Sequence, residues 1–422
     1  MRARSLPESD PAMALDARRI SDRCEALARC TEQPDGLTRV FLSPEQQAAN
    51  AMVMDWMREA GMATRLDAIG NVVGRYEGTQ PGLPCLMLGS HLDTVRDAGR
   101  YDGMLGVVTA IECVADLHAR GARLPFAIEV VGFADEEGVR FSATLLGSRA
   151  VAGTFDPGVL DKADADGVTM RDALRTAGHD PARIAEAARA PDDVLAYVEL
   201  HIEQGPVLEA EGLPVGVVTA INGGNRFDVE ITGTAGHAGT VPMALRRDAL
   251  MAAAECALAV ERIAKSMSEV VGTVGRIEAA PGAINVIPGR VRFTVDARAP
   301  ADELRERVVE AIRAEFAAIA DRRDVELAMS LLWEARTAAC SASLQRQLVE
   351  AIHAEGVRVH HLPSGAGHDG MAIVEIAPIG MLFVRCTGGI SHSPTEAVTL
   401  ADVEVGARVL LRFIERFERP HR

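Results

Sequence analysis

The chain has 422 residues, of which 48% are hydrophobic and 25% are charged. These values are typical of a globular protein and exclude a mainly disordered or fibrous chain, and the length predicts two or three domains. Lys and Arg number 44 against 60 Asp and Glu, so the formal net charge is −16, and aromatic residues make up only 4%. Such a surface repels phosphate backbones and offers few side chains that stack on bases, so we expect no nucleic-acid partner.

The seven cysteines stand alone in the sequence, and none belongs to a C-x-x-C pair. This pattern disfavours a disulfide framework or a zinc knuckle and favours a reducing compartment. The N-terminal segment has no apolar stretch of the kind found in signal peptides. The longest apolar runs are too short and too interrupted to span a bilayer. We therefore expect a cytoplasmic protein with no membrane partner.

Short apolar runs alternate with helical patterns in the first half of the chain. The pattern predicts a helix at 44–60, a turn-rich connection at 67–74, a strand at 85–89, a helix at 104–119, and strands at 126–133 and 195–200. Apolar strands that alternate with helices are typical of a sheet covered on both faces.

The pattern changes near residue 220. Segments 227–232 and 291–296 alternate strictly between apolar and polar residues, which is typical of antiparallel strands with one wet face. Helices are predicted at 247–266 and 301–319, and a helix, a strand and a last helix follow at 341–354, 377–384 and 401–417. We therefore predict an α/β protein in which a smaller open α/β sandwich, residues 221–335, is inserted into a larger domain formed by residues 1–220 and 336–422.

Acidic and imidazole side chains recur where the predicted strands end. They lie in five segments, which contain His91 and Asp93; Asp102; Asp135, Glu136 and Glu137; Glu199, His201 and Glu203; and His392 and Glu396. The carboxyl ends of strands form the ligand crevice of open α/β sheets, so these distant residues are expected to meet. Each alone has an ordinary alternative, such as a turn, a helix cap or a solvated face. As a set, they offer the nitrogen and oxygen donors that borderline divalent metals accept, and a shared carboxylate can bridge two ions.

No G-x-S-x-G, H-E-x-x-H or P-loop motif occurs, so a serine hydrolase and a thermolysin-type enzyme lack support. Eight other motifs carry a resemblance to a known family: GSHLDTV, YDGMLGV, FADEEGVRF, ELHIEQGPVLE, GHAGTVPM, NVIPG, SGAGHDG and GISHSPTE. From about residue 43 to 415, the sequence resembles the hydantoinase/carbamoylase branch of the aminoacylase-type dinuclear metallohydrolases. That branch includes N-carbamoyl-L-amino-acid hydrolases, allantoate and ureidoglycolate amidohydrolases, and β-ureidopropionases.

The resemblance implies a dinuclear-metal catalytic domain with a central mixed sheet covered by helices, and an inserted lid and dimerisation domain. It implies two divalent ions per chain (zinc, manganese or cobalt), held by His91, Asp102, Glu137, His201 and His392. In this resemblance Asp102 bridges the two ions. Glu136 matches the general base, and Asp93 matches the acid that orients His91.

The resemblance also implies residues that contact the substrate. They are Gln204, Arg226, Asn285, Arg298, Gly367 and His368. Arg298 would clamp a carboxylate with its planar fork, and its alternative is an ion pair with Asp296. His237 lies between two glycines on a predicted turn and matches a residue that reaches the partner subunit's site.

The implied activity is hydrolysis of the ureido C–N bond of an N-carbamoyl-L-amino acid or an allantoate-like ureido acid, with release of ammonia and carbon dioxide. The implied assembly is a homodimer. A peptidase or N-acyl-amino-acid hydrolase on the same scaffold is one alternative, and a metal-bearing protein without catalysis is another. Gly370 and Val241 stand where the family pattern has alanine and threonine. Neither is a ligand position, so they bear on the substrate rather than on the activity.

Overall fold

The computed structural model describes residues 15–420, which form two compact units. The larger unit holds the residues up to 219, residues 340–362 and the residues from 368 onward, and the smaller unit holds 220–339 and 363–367. The helices are α1 (Ala17–Ala28), α2 (Pro44–Glu59), α3 (Met104–Ala119), α4 (Leu146–Val151), α5 (Met170–Thr176), α6 (Val207–Glu211), α7 (Ala249–Ser266), α8 (Asp302–Arg323), α9 (Ala342–Ala354), α10 (Gly370–Ile373) and α11 (Leu400–Glu415). The strands are β1 (Ala63–Leu66), β2 (Val72–Tyr76), β3 (Cys85–His91), β4 (Ala127–Phe133), β5 (Val194–Ile202), β6 (Val215–Ile221), β7 (Gly223–Thr232), β8 (Gly236–His237), β9 (Val271–Ala280), β10 (Val286–Ile287), β11 (Arg290–Ala299), β12 (Glu326–Ala335), β13 (Ala338–Ala339), β14 (His361–Ser364) and β15 (Ile379–Val384).

The larger unit is built on a mixed sheet whose strands run in the order β1-β2-β4-β3-β5-β15-β6. The four central strands, β4, β3, β5 and β15, are parallel to one another. Every residue of β3 and β4 is buried, which explains why both strands appear in the sequence as continuous apolar runs. Because parallel strands end at the same edge, the residues that follow them gather there. The predicted α/β fold, with a large mixed sheet flanked by helices, is confirmed.

Helix α3 crosses the core of the larger unit and is buried along most of its length. Its one deeply buried glutamate, Glu112, accepts hydrogen bonds from Arg19 at 2.7 Å and Arg23 at 2.5 Å, both on α1. The charge is therefore paired rather than left unsatisfied. These bonds fix α1 against α3, the helix that begins two residues after Asp102.

The prediction of a turn-rich connection at 67–74 is correct only in its first half. The Asp67 carboxylate accepts the backbone N–H groups of Ile69, Gly70 and Asn71, as expected for a turn built around an aspartate. Strand β2 then begins at Val72 and pairs with β1 and β4. The run is short and contains a glycine, so its strand character is weak in the sequence and comes from its pairing.

The smaller unit contains a four-stranded antiparallel sheet in the order β12-β7-β11-β9. Phe227, Val229 and Ile231 of β7 are buried in a common core with residues of α7 and α8, whereas the residues between them are partly exposed. The strict alternation of β7 therefore reflects one packed face and one wet face. β9 and β12 form the two edges, and most of their residues are exposed, which weakens their hydrophobic signal in the sequence.

Candidate metal centre

The candidate ligands of the larger unit come from the ends of its parallel strands. His91 is the last residue of β3, and Glu136 and Glu137 follow the end of β4. His201 lies inside β5, which is longer than the sequence predicts, and His392 follows β15. The parallel arrangement of these strands brings residues that are distant in the sequence to one edge of the sheet.

Asp102 is the residue that these side chains share. Its Oδ1 lies 3.2 Å from His201 Nε2 and 3.5 Å from His91 Nε2, while its Oδ2 lies 3.1 Å from His392 Nε2. His392 Nε2 also lies 3.5 Å from Glu137 Oε1. Among the residues that the structure describes, four groups could hold a metal ion: His91, Asp102 and His201; Asp102, Glu137 and His392; His91, Glu136 and Glu137; and Glu199, His201 and His368. A carboxylate that belongs to two such groups, one on each oxygen, fits a pair of ions with a common ligand.

The two buried imidazoles are oriented as metal ligands need to be. His91 Nδ1 lies 2.9 Å from the carbonyl oxygen of Asp93, and His201 Nδ1 lies 2.9 Å from the carbonyl oxygen of Ile202. A carbonyl oxygen can only accept, so each Nδ1 carries a proton, and each Nε2 is the nitrogen that can bind a metal ion once it is not protonated. The backbone N–H of Gly103 donates to His201 Nε2 at 3.2 Å, which requires the same tautomer. Both Nε2 atoms face Asp102, while both Nδ1 atoms are fixed by carbonyl oxygens, which is the orientation that metal-ligating imidazoles adopt.

The acidic groups of the site differ strongly in their pKa values. Burial, and then the neighbouring Glu137 carboxylate, raises the pKa of Glu136 well above its usual value. Burial also raises the pKa of Glu137, to about 7. For Asp102 burial acts in the same direction, but the imidazoles that face it outweigh burial and hold its pKa well below the usual range. Only Asp102 is thus held firmly ionised by the protein's own groups, and a divalent cation would favour the ionised form of the others.

The Asp93 carboxylate fixes the two consecutive glutamates rather than the imidazole. Its Oδ1 accepts the backbone N–H of Glu136 at 3.0 Å, and its Oδ2 accepts that of Glu137 at 3.1 Å. Its nearest oxygen lies 3.9 Å from His91 Nδ1. The contact that orients His91 is made by the backbone carbonyl of Asp93, and the carboxylate ties the β4 exit to the β3 exit.

Glu396 and Ser391 hold Asp102 in place, and the sequence alone does not assign them a role. Glu396 Oε1 accepts the backbone N–H groups of Tyr101 at 2.8 Å and Asp102 at 3.2 Å. The Ser391 hydroxyl lies 2.9 Å from Glu396 Oε2 and 3.1 Å from Asp102 Oδ2. The Gln204 amide nitrogen lies 3.0 Å from the same Asp102 oxygen. Glu396 is 4% exposed, and the available signal was its place five residues after Ser391 in the last motif.

Gly103 leaves the space that His91 occupies. It precedes α3 with a φ of +74°, and a Cβ at this position would lie 2.5–2.6 Å from atoms of the His91 ring. Both the backbone conformation and the close approach therefore require glycine.

Two further side chains lie behind the candidate ligands. The ring of His368 packs edge-on against that of His201, with ring centres 4.5 Å apart, and burial lowers its pKa well below the usual value. Glu199 is fully buried and accepts hydrogen bonds from the Ser90 hydroxyl at 2.7 Å and the Tyr197 hydroxyl at 2.9 Å. His368, predicted from the sequence to contact substrate, is only 1% exposed.

Arg226 and Arg298 belong to the smaller unit and meet on Asp296. Arg298 Nε and Nη2 donate to the Asp296 carboxylate at 2.9 and 3.0 Å, and Arg226 Nε donates to it at 2.9 Å. Arg298 Nη1 donates to the carbonyl of Gly365 at 2.7 Å. The ion pair with Asp296, which the sequence offered as the alternative for Arg298, is therefore present.

His237 and Asn285 lie together on the smaller unit. His237 ends β8, which pairs with β10 through Val286, so it is in a short strand rather than on the predicted turn. The N–H of Ala238 donates to the carbonyl of Asn285 at 2.9 Å, and both His237 and Asn285 are exposed. Gly367, the last residue of segment 363–367, also groups with the smaller unit.

Comparison with known proteins identifies the family. The model of peptidase family M20/M25/M40 matches residues 87–416. The chain belongs to this family. Residues 87–416 include all the candidate ligands of the larger unit.

Relatives within the M20 family resemble the chain over nearly its whole length. It is 44% identical over 397 residues to the N-carbamoyl-L-amino acid amidohydrolase of Geobacillus stearothermophilus, covering 94% of this chain and 97% of that protein. It is 42% identical over 427 residues to a probable allantoate deiminase of Oryza sativa subsp. japonica, covering 93% and 87%. The crystal structure of a hydantoinase/carbamoylase family amidase from Burkholderia multivorans superposes with a TM-score of 0.90 at 34% identity, covering 96% and 98%.

Within residues 15–420, no helix combines the length and the apolar character needed to cross a membrane.

Proposed function

We propose that the chain is a metal-dependent amidohydrolase that cleaves the ureido C–N bond of an N-carbamoyl-L-amino acid or an allantoate-like ureido acid. The products are ammonia, carbon dioxide and the amino or ureido acid. The names of the relatives at 44% and 42% identity support this substrate class. The observation that carries the proposal is the position of Asp102 between two ligand groups, with the Glu136 and Glu137 pair beside it.

Five residues would hold two divalent ions. His91, Asp102 and His201 form one group, Asp102, Glu137 and His392 form the other, and Asp102 is common to both. Zinc, manganese and cobalt all accept these nitrogen and oxygen donors. When bound, such ions acidify water and polarise the substrate carbonyl.

Glu136 is the residue that moves protons. It is buried beside the ligand Glu137, and its backbone N–H is fixed by Asp93. A carboxylate held there takes a proton from the attacking water and then delivers it to the departing nitrogen. Because the backbone bonds to Asp93 hold Glu136 and Glu137 together, the base keeps its place relative to the ligand.

Arg298 is the proposed anchor for the substrate carboxylate. A guanidinium has five N–H donors, and three of those on Arg298 are used by Asp296 and Gly365. One N–H remains on each terminal nitrogen, and these donors are available to a substrate carboxylate. Asp296 therefore orients the guanidinium without using the whole of it. This anchoring supplies orientation to the reaction.

Paired substrates test the reaction. The N-carbamoyl and N-acetyl derivatives of the same L-amino acid differ only in NH₂ for CH₃, and only the first can release ammonia. We expect ammonia from the N-carbamoyl derivative or from allantoate, ureidoglycolate or β-ureidopropionate, with zinc, manganese or cobalt supplied. Hydrolysis of the N-acetyl derivative or of dipeptides, without ammonia release from any ureido acid, would show a peptidase or N-acyl-amino-acid hydrolase instead. No turnover in a metal-loaded protein would favour the metal-bearing scaffold without catalysis.

We further propose a homodimer joined through the inserted domain, residues 221–335. Strand β9 is an edge of the smaller sheet, and Val271 and Ile277 on it are 52% and 48% exposed. Leu258 on α7, which packs beside β9, is 65% exposed. Exposed apolar edge strands need a cover, and two copies related by a two-fold axis can cover each other.

We also propose a cytoplasmic location. The seven cysteines are all free, and this supports the proposal because disulfides are rare in reducing compartments.

A mixing experiment tests whether His237 acts on the partner subunit. Glu136→Gln and His237→Ala chains, each inactive, are combined under conditions that allow subunits to exchange. If His237 acts in trans, mixed dimers have one intact site, and activity rises toward about a quarter of wild type, because about half of the dimers are mixed. Demonstrated exchange without recovery of activity would contradict this role.

A further inference from the structure

Arg39 is a fully buried arginine in the segment between α1 and α2. Its Nε donates to the carbonyl of Leu92 at 2.8 Å. Its Nη1 donates to the carbonyls of Leu27 at 2.7 Å and Cys30 at 3.0 Å, and its Nη2 lies 2.7 Å from the sulfur of Met104. One side chain thus contacts the end of α1, the exit of β3 and the start of α3.

These contacts join the two backbone segments that carry the candidate ligands. Leu92 lies between His91 and Asp93, and Met104 lies two residues after Asp102. The backbone of Arg39 adds to the same connection, because its N–H donates to the Thr94 hydroxyl at 2.9 Å and its carbonyl accepts the Thr94 N–H at 3.0 Å. Arg39 therefore bridges the β3 exit and the α3 start.

The charge of Arg39 is unusual for a side chain that binds only neutral groups. Among residues 15–420 no carboxylate forms an ion pair with it, and burial lowers its pKa to about 10, so it is still a cation at neutral pH. A buried charge is costly unless its surroundings compensate it. Among the carboxylates, the buried Asp93 side chain, two residues after His91, favours the charged form of Arg39.

We propose that Arg39 is a positioning residue for the metal centre: its guanidinium holds the His91–Asp93 segment against the first turn of α3, so that the imidazole and the shared carboxylate keep the spacing that two ions need. This role rests on the proposed metal centre. Arg39 lies outside the 87–416 segment that the family model matches, so the N-terminal segment contributes to the site without supplying a ligand. The alternative is a structural role limited to the end of α1, whose last carbonyls arginine side chains commonly bind.

Metal affinity separates the two roles. We compare Arg39→Met, Arg39→Lys and the control Arg305→Met, each stripped of metal and titrated with zinc against a chromophoric chelator, per mole of folded protein. Arg305 is a matched control because it is 3% exposed and bonds to Asp302 and Glu334 in the smaller unit. Thermal unfolding of the metal-free proteins is measured in parallel.

We expect Arg39→Met to weaken zinc binding by about tenfold or more, the usual cost of removing a group that positions metal ligands. Arg39→Lys should lie between Arg39→Met and wild type, because it keeps the charge but loses the fork. Arg305→Met should lose thermal stability with unchanged zinc affinity. Zinc affinity equal to wild type in folded Arg39→Met, or in Arg39→Lys if Arg39→Met does not fold, would overturn the inference while leaving the metal centre intact. A wild-type protein that binds no zinc, manganese or cobalt would overturn the proposed function itself, and the role of Arg39 with it.

Discussion

Replacing Glu136 by glutamine keeps the shape of the side chain and removes its charge and its ability to take a proton. Loss of a general base costs about 10²–10⁴ in rate. At 1.36 kcal/mol per tenfold, that is about 2.7–5.4 kcal/mol of transition-state stabilisation. We therefore expect kcat to fall by this factor while the two ligand groups that share Asp102 keep their metals.

The same variant should be at least as stable as the wild-type protein, although its rate falls. Glu136 is 8% exposed, and burial and the Glu137 charge raise its pKa well above the usual value. When folding raises the pKa of a carboxyl group, the group lowers the free energy of unfolding at every pH above its pKa in the unfolded chain. Glutamine removes that cost, so the metal-free variant should unfold at the same temperature as wild type or a higher one at neutral pH.

The assay measures ammonia release, metal content and thermal unfolding in chelator on the same preparations. Glu129→Gln is the matched control, because Glu129 is also buried but pairs with Arg75 at 3.2 Å and Arg189 at 3.0 Å. It should lose stability and keep its turnover. Near-normal turnover in metal-replete Glu136→Gln would refute the role of Glu136, and loss of metal from it would refute the ligand assignment.

Three further predictions concern the ligands and their supports. Asp102→Ala should lower metal content, measured by elemental analysis, more than His392→Ala does, because Asp102 belongs to both ligand groups; two metals per chain in both variants would refute the assignment. Arg298→Lys keeps the charge and loses the fork, so kcat/KM should fall for carboxylate substrates and much less for an uncharged amide analogue; equal losses would indicate a structural role. Glu396→Gln removes the charge that accepts the Tyr101 N–H, so metal affinity should fall by about 10–100-fold, and an unchanged chelator titration would contradict this.

The central strands could be predicted because burial on both faces leaves a plain signal. Strands β3 and β4 consist of buried residues throughout, and α3 is apolar on most faces, so both kinds of element stand out from the polar segments around them. The residues that close these strands, His91 and Glu136 among them, could be predicted to meet because parallel strands end together. Pairing between distant segments was needed to reveal β2, β9 and β12.

The contacts that support the site could not be predicted, because they are made to backbone groups. The Asp93 carboxylate binds two N–H groups more than forty residues away, and Glu396 binds those of Tyr101 and Asp102 almost three hundred residues away. A pattern of side-chain types carries no information about which backbone group will lie opposite. Arg39 was missed for the same reason, since its partners are carbonyl oxygens.

The missing side chain at Gly103 has a consequence for attempts to evolve this protein. A library that varies the residues near the candidate metal centre would treat this position as an ordinary positive-φ turn, where a substitution costs about 1–3 kcal/mol of stability. Any replacement would also displace the His91 ring, because the new Cβ would lie 2.5–2.6 Å from its atoms. Screens for expression level and screens for catalysis would then rank the same variant very differently, so a library selected on yield alone would accumulate inactive clones at this position.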